Sequence, residues 1–455
     1  MKILSVENVT NRATLSDKLF SITYPELAEQ VHLVKEQLTR LDVQTGDAIA
    51  LSCTQSIASI TTLIALLERE QSIFLSDGRY QAPAFCKVLV TAEPQGSGGR
   101  LSKTVIQCKG NQDYAKEATL GAPALCLRTS GSTKSARMVV HHPSRLLENS
   151  RSVFLRFALS RDDRIMLPVP LYHLYGLGAA ALPALLAGAS VYLHDSTDLL
   201  GLLQADQSFD ANVIFLTPGL AASLVSTRRE RPSFRVGVTA GDRLTFNVFE
   251  KCATQMNCLV QIYGSTEQGA MSSTSLCDSA DVRANTVGLP FSGVQLRIDG
   301  QTGEIECRNR YASLGYTDGF GHITAHPEYQ KTGDIGQHDA NGCLRILGRS
   351  NDLVKRDGVW VSLSEIEGFI AELPGVSEVA VVPGAWGRRG VQITAYCVSS
   401  LPLGLSPDGL RQSCLQHLPR RSVPDVVNLV SALPRLSTGK IDRRQLAARL
   451  EAGHL

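Results

Sequence analysis

No C-x-x-C pair occurs in the chain, and its eleven cysteines, spread singly from Cys53 to Cys414, are odd in number. That pattern argues against both a zinc site and a disulfide framework, and it fits a reducing cytosol, so a cytoplasmic protein is expected. An excess of charge of one sign is also missing. A net charge of +2 is too small for the electrostatic footprint of a nucleic-acid or membrane binder, so neither partner is expected. There is no G-x-x-x-x-G-K-[ST], which excludes the phosphate loop of the common ATPases. The start, MKILSVENVTNRATLSDKLFS, lacks the charged-then-apolar order of a secretory signal. One uncharged run, Leu174 to Leu193, has the length of a membrane span. Its Pro183, its three glycines and its β-branched end, ASVYLHD, divide it instead into a buried helix and a buried strand. Internal repeats and low-complexity tracts are absent.

What is present is length and alternation. At 455 residues the chain exceeds what one core sustains, so two or three folding units are expected. Over the first 290 residues, strand-length apolar runs (AIALSC, SIFLSD, CKVLVTA, ALCLRTS, RIMLPVP, SVYLHD, VIFLTP, RVGVTAG, LVQIYG) alternate with helical patterns such as ASITTLIALLERE and LLENSRSVFLRFAL. This is an α/β pattern. From about Phe291 the texture becomes hairpin-like, with Asp-Gly, Thr-Gly and Asn-Gly turns, and reads as a small β unit. A boundary near Asn351 leaves a large domain over 1–350, with a shortened N-terminal part, and a small α+β domain over 351–455.

The residues after the strands carry the chemical signal. LCLR runs into Thr129, Ser130, Gly131, Ser132 and Thr133, and IMLPVP into Leu171, Tyr172 and His173. VGV runs into Thr239, Ala240, Gly241 and Asp242, and LVQI into Tyr263, Gly264, Ser265, Thr266 and Glu267. Open α/β sheets bind ligands at the carboxyl ends of their strands, so these polar ends predict one crevice for a small molecule. Any one of them alone reads as an ordinary turn. GLGAAA, from Gly176 to Ala181, matches the loose dinucleotide fingerprint, with Asp195 ending the next strand. It competes weakly, because LYHLY separates it from its strand and Pro183 is expected to break the helix that a pyrophosphate needs.

In order, TSGST, PLYHLYGLG, TAGDRL, YGSTE, TGD, GRSNDLVKRDGVWVSLSEIE and LPRLSTGKIDRRQL resemble the adenylate-forming superfamily of acyl-CoA synthetases, luciferases and peptide-synthetase adenylation domains. The resemblance covers nearly the whole chain. It implies a large multi-subdomain α/β domain followed by a small mobile one, and a reaction in two steps. ATP converts a carboxylic acid to an acyl-adenylate, and a thiol of CoA or of a carrier-protein phosphopantetheine then displaces AMP.

By resemblance, residues 129–133 wrap the β and γ phosphates, Tyr263 stacks on adenine beside Ala240-Gly241-Asp242, and Thr266 touches the α-phosphate. Glu267 is the Mg²⁺ ligand, a hard carboxylate for a hard ion. Asp334 takes the ribose hydroxyls with Arg349 assisting. Lys440 bridges the substrate carboxylate and the α-phosphate, a mobile point charge where negative charge develops. Asn351 stands at the hinge, and Lys355 to Gly358 face the site for the thioester step. The closest match is to benzoate-type ligases, with an aromatic acid among Tyr172, His173, Tyr175 and Gly176. No aspartate for an amino-acid amine occurs in Tyr175 to Ala187.

The chain departs from the family after Thr133. In place of Gly-x-Pro-Lys-Gly it has Lys134-Ser135-Ala136-Arg137-Met138. Arg137 keeps a cation able to hold phosphate bidentately, whereas the lost glycines stiffen the loop. Two alternatives stay open: transfer of the acyl group to an amine or other acceptor, and a non-catalytic binding or scaffold protein. The oligomeric state stays open between monomer and homodimer.

Overall fold

Runs such as AIALS, VIFL and VGVT are apolar at every position, so they suit strands covered on both faces, the environment of a parallel sheet. In a computed structural model, which describes residues 13–121, 123–129, 137–195, 198–227, 234–387, 390–399, 405–435, 441–443 and 445–447, all nine runs are strands. They form two parallel blocks of one 17-stranded sheet, linked through Thr14–Ser16, which pairs with Ser190–Leu193 and with Ser21–Thr23, the latter meeting Arg100–Gly110. In the first, Arg164–Leu167 lies between Ser190–Leu193 and Val213–Leu216, and Val236–Thr239 and Leu259–Ser265 follow outward, all parallel. Leu259–Ser265 then turns back on Gly269–Ser273. In the second, Ala48–Ser52 lies between Val88–Ser97 and Ser72–Ser76, and Leu125–Arg128 follows, again parallel. Met138–His141 and Gly315–Thr317 extend that block antiparallel.

Helix Ile57–Glu68 is apolar on every side and buried along 57–67, as expected of a helix inside a core rather than on a surface. The carboxyl ends of the two blocks are tied by one side chain. Gln55, just past Ala48–Ser52, donates its Nε2 to the carbonyls of Leu167 (3.0 Å), Val169 (3.0 Å) and His194 (3.3 Å). Its Oε1 accepts from Leu171 N (2.8 Å). No helix among the described residues is long and apolar enough to cross a membrane. Leu174 to Leu193 divides as expected into helix and strand, Ser190–Leu193, with one correction. Pro183 does not break the helix: a π-helical stretch, Tyr175–Ala181, passes directly into the α-helix Leu182–Ala187, with Pro183 in its first turn, where a missing N–H costs little.

The interval before Leu125 contains a long hairpin, Val88–Ser97 with Arg100–Gly110, whose first strand begins in the expected run CKVLVTA. Pro94 is tolerated there because only residues 88–91 of its strand pair with Ala48–Ser52 on the other side. Gln30 and Gln37 of helix Tyr24–Arg40 each clamp the backbone of the outer strand, at 102–104 and 104–106, which covers a sheet edge. The expected hairpins after Phe291 form a four-stranded sheet ordered Val294–Ile298, Glu304–Asn309, Gln330–His338, Leu344–Arg349. Of the eleven cysteines, only Cys277 is exposed.

The chain divides into two compact units, one of 1–297, 306–330 and 338–345, the other of 298–305, 331–337 and 346–455. In the second, strands Val359–Ser362, Leu353–Arg356, Gly390–Ser399 and Val376–Gly387 form a sheet joined by Val426–Leu429. Helices Leu363–Ala371 and Pro407–His417 complete its core. Arg356 is buried within it, 1% exposed, and reaches the Val423 carbonyl (3.0 Å) and Asp425 Oδ1 (2.7 Å).

Candidate active site

The strands that flank the expected phosphate loop pair with each other. Leu125–Arg128 pairs with Met138–His141, and Thr129 and Arg137 close the gap: Thr129 N donates to Arg137 O (3.0 Å) and Arg137 N to Thr129 Oγ1 (3.2 Å). Ser130, Gly131, Ser132 and Thr133 lie outside the described residues. The guanidiniums flanking the loop rest on aromatic faces, Arg128 over Tyr80 (4.3 Å) and Arg137 over Tyr316 (4.9 Å).

Tyr263, Gly264 and Ser265 are the end of strand Leu259–Ser265, and Thr266, Glu267 and Gln268 are the turn back into Gly269–Ser273. Gly264 is required for close approach, since a Cβ there would stand 2.4 Å from Gly269 O. The turn is held at three successive carbonyls. His141 Nε2 meets Thr266 O (2.7 Å), Ser313 N donates to Glu267 O (2.9 Å), and Asn309 Nδ2 donates to Gln268 O (2.5 Å). The Glu267 carboxylate accepts from the Tyr316 hydroxyl (2.8 Å). Tyr316 in turn meets His326 edge-on (4.8 Å). Burial and the carboxylate push the phenol of Tyr316 up, so it is the proton donor in that bond.

His141 is wholly buried, and burial pushes it down to about 4. It is neutral at pH 7 and, facing a carbonyl, carries its proton on Nε2, leaving Nδ1 without a partner among the described residues. The sign of the pH effect follows. The unfolded chain takes up a proton near 6.5 that the folded chain refuses until about 4, so stability falls as pH drops through that window and levels off below it. The loss is about 3 kcal/mol. Denaturant unfolding of the wild type and of His141→Asn between pH 8 and 4 should show the gap between them narrowing as pH falls; parallel curves would contradict the assignment.

Ala240 is buried at the end of Val236–Thr239, while Gly241 (φ 93°) and Asp242 are exposed in the turn that follows. Of the expected acid-pocket residues, Tyr172 and His173 stand ring to ring (4.6 Å). Tyr175 and Gly176 have packing roles besides: the Tyr175 hydroxyl lies within reach of the carbonyls of Leu216 (3.1 Å) and Val238 (3.0 Å), and a Cβ on Gly176 would stand 2.1 Å from Pro170 O. The glycines of GLGAAA therefore serve packing, with Gly178 against Leu146, and the dinucleotide reading is withdrawn. Sequence reasoning missed the Asp77–Arg79 ion pair, whose charges act on the partly buried Tyr172, and missed His141, Tyr316 and Gln55. SDGRYQ carried the only available signal, a polar run after a strand.

In the second unit, Asp334 and Arg349 are together, Arg349 Nε 3.0 Å from Asp334 Oδ1. Asp334 is 7% exposed on strand Gln330–His338, while Arg349 projects outward. Asn351 lies in a turn closed by Asp352 N on Arg349 O (2.9 Å), without the positive φ that asparagine tolerates. Asp357 (φ 49°) and Gly358 (φ 78°) make a two-residue hairpin turn that itself calls for glycine. Lys355 lies over the Trp360 ring (5.6 Å). Lys440 is outside the described residues, but Ile441 bridges to Arg435 and Arg443 pairs bidentately with Glu367 (2.6 and 2.7 Å). Among the described residues no three His, Cys, Asp or Glu gather as a metal site.

Comparison with known proteins agrees with this architecture. Residues 88–317 match the AMP-binding enzyme family and 365–440 its C-terminal domain. Similar relatives include the anthranilate–CoA ligase of Pseudomonas aeruginosa, 27% identical over 95% of this chain and 96% of the relative. The indoleacetate–CoA ligase of Aromatoleum aromaticum is 29% identical over 80% of this chain and 74% of its own. Among solved structures, o-succinylbenzoate CoA synthetase from Bacillus subtilis with its acyl-adenylate superposes with a TM-score of 0.74 at 21% identity, covering 96% and 95% of the two chains. ATP-bound MatB from Rhodopseudomonas palustris gives 0.71 at 20%, covering 98% and 97%. With a large mixed α/β domain, a small β subdomain and an α+β end, the chain belongs to the adenylate-forming AMP-binding enzymes, in their acid–CoA ligase family.

Proposed function

We propose that the protein activates an aromatic carboxylic acid as its acyl-adenylate and transfers the acyl group to a thiol, that of CoA or of a carrier-protein phosphopantetheine. The observation that carries this reading is the cluster at one sheet end, where Tyr316 meets the Glu267 carboxylate and the Arg137 guanidinium, and Arg137 is hydrogen-bonded to Thr129, with which the hydroxyl-rich sequence 129–133 begins. Cation, hydroxyls and backbone N–H groups there would hold the β and γ phosphates, with Tyr263 on adenine beside Ala240-Gly241-Asp242 and Thr266 at the α-phosphate. The Asp334–Arg349 pair is the ribose site, its buried carboxylate accepting from hydroxyls. Lys440 neutralises charge developing between acid and α-phosphate. A boundary at Asn351, with Lys355 and Gly358 serving the thiol step, completes the assignment.

Glu267 fits Mg²⁺: it is a hard carboxylate that, among the described residues, has one hydrogen bond, from Tyr316 to Oε1, and no ion pair. When bound, the ion would screen phosphate charge, and the role of the chain is to aim the carboxylate. Aromatic acids are favoured by Tyr172 and His173 and by the anthranilate and indoleacetate substrates in the relatives' names. The test is pyrophosphate release from MgATP with hydroxylamine and a panel of benzoic, hydroxybenzoic, anthranilic, indoleacetic, cinnamic and medium-chain fatty acids, repeated with CoA and with a carrier protein. Acid-dependent release names the substrate class, and the added thiol names the acceptor. No release together with no ATP binding would favour a scaffold protein instead.

A further inference from the structure

Tyr316 lies on strand Gly315–Thr317, opposite Val139 of the strand that leaves the nucleotide loop. Its hydroxyl is 2.8 Å from Glu267 Oε1, and its ring lies 4.9 Å from the Arg137 guanidinium carbon. One side chain thus touches both the carboxylate assigned to the metal and the cation assigned to phosphate. The backbone beneath Glu267 is already fixed, because the carbonyls of 266, 267 and 268 are held by His141, Ser313 and Asn309. What remains to be set is the Glu267 side chain, and the phenol sets it.

We infer that Tyr316 is a positioning residue that couples the two halves of the MgATP site, its hydroxyl aiming Glu267 and its ring seating Arg137; this rests on the metal role proposed for Glu267. The hydroxyl meets Glu267, and Arg137 lies over the ring while also reaching the hydroxyl. A hydroxyl donating to Oε1 selects one rotamer of the carboxylate and leaves Oε2 toward a hard cation. The ring face attracts the guanidinium plane, so its N–H edges stay directed at an anion. Arg137 suits this better than lysine, whose ammonium cannot lie flat on the ring while presenting a fork.

Tyr316→Phe deletes the hydroxyl and keeps the ring under Arg137, whereas Tyr316→Leu removes both. ATP binding to the full-length protein is measured by calorimetry in EDTA and across a Mg²⁺ titration, with unliganded melting temperature as a control. Tyr316→Phe should melt with the wild type and lose little metal-free ATP affinity, since the ring still seats Arg137, but need about ten-fold more Mg²⁺ for half its effect, as expected for the loss of one charge-assisted hydrogen bond. Tyr316→Leu, lacking the ring, should also bind metal-free ATP more weakly. A Tyr316→Phe Mg²⁺ curve that overlies the wild type overturns the inference alone. A wild type whose ATP affinity ignores Mg²⁺ overturns the role of Glu267, and the inference with it.

Discussion

Lys440→Ala should lower acid-dependent pyrophosphate release by about 10²–10³-fold, the scale on which a single donor to developing charge is worth in a water-poor site. It should leave the melting temperature where it is, because the chain on its carboxyl side is anchored without it. Ile441 bridges to Arg435, Asp442 N donates to Pro434 O (2.7 Å), and Leu446 is buried against Ala380, Val382 and Tyr396. Arg443 holds the Glu367 carboxylate and the Val381 carbonyl (3.1 Å). Arg443→Ala is the contrasting variant: it removes an anchor and should lower stability as well as rate. Single-turnover release measured beside a thermal melt separates the two. A Lys440→Ala protein that releases pyrophosphate at the wild-type rate would remove the lysine from the chemistry.

The largest expected loss of stability is at Arg356. Its guanidinium is taken out of water and held by Val423 O and Asp425 Oδ1, while Asp425 Oδ2 accepts from Ile393 N (2.8 Å), so the pair joins strand 353–356 to strand 390–399 and to the start of 426–429. Arg356→Met should cost roughly 3 kcal/mol, the lower end for breaking a buried pair, because Asp425 keeps 29% exposure and can recover some hydration. Hydrogen exchange should quicken in strands 353–356, 390–399 and 426–429 and stay unchanged in the parallel strands of the first unit. Exchange that quickens equally in both units would contradict a local role for the pair.

The parallel strands were legible because each is an uninterrupted apolar run bounded by turn residues, a signal that a short window contains. The hairpin Val88–Ser97 with Arg100–Gly110 was not, because its second strand mixes polar and apolar residues on a face covered only in part, and Pro94 argues against a strand. In the site, Glu267, Asp334 and Arg349 stood in motifs of a few residues each and could be named. Tyr316 and His141 could not: they meet the Glu267 turn across 49 and 125 residues of chain, and nothing local marks a tyrosine or histidine as one that will face a carboxylate or a carbonyl. Gln55 is the same case, a polar residue in an ordinary loop whose four backbone partners lie more than a hundred residues away in the chain. Pro183 failed as a helix breaker because the wider π turn before it places it in a first turn, a local geometry that composition does not report.

The single exposed thiol has a practical consequence. Cys277 will take up a maleimide from the native protein, whereas burial keeps Cys53, Cys86, Cys126, Cys307 and Cys397 both inaccessible and well above the ordinary thiol range. The chain therefore carries a built-in clock for its own opening. The first label reports the folded surface, and labels at the buried thiols date the moment when a particular stretch of core meets solvent, with Cys397 and Cys414 timing the C-terminal unit and Cys53, Cys86, Cys126, Cys252, Cys307 and Cys343 timing the large domain, while Cys108 and Cys258 are half-buried.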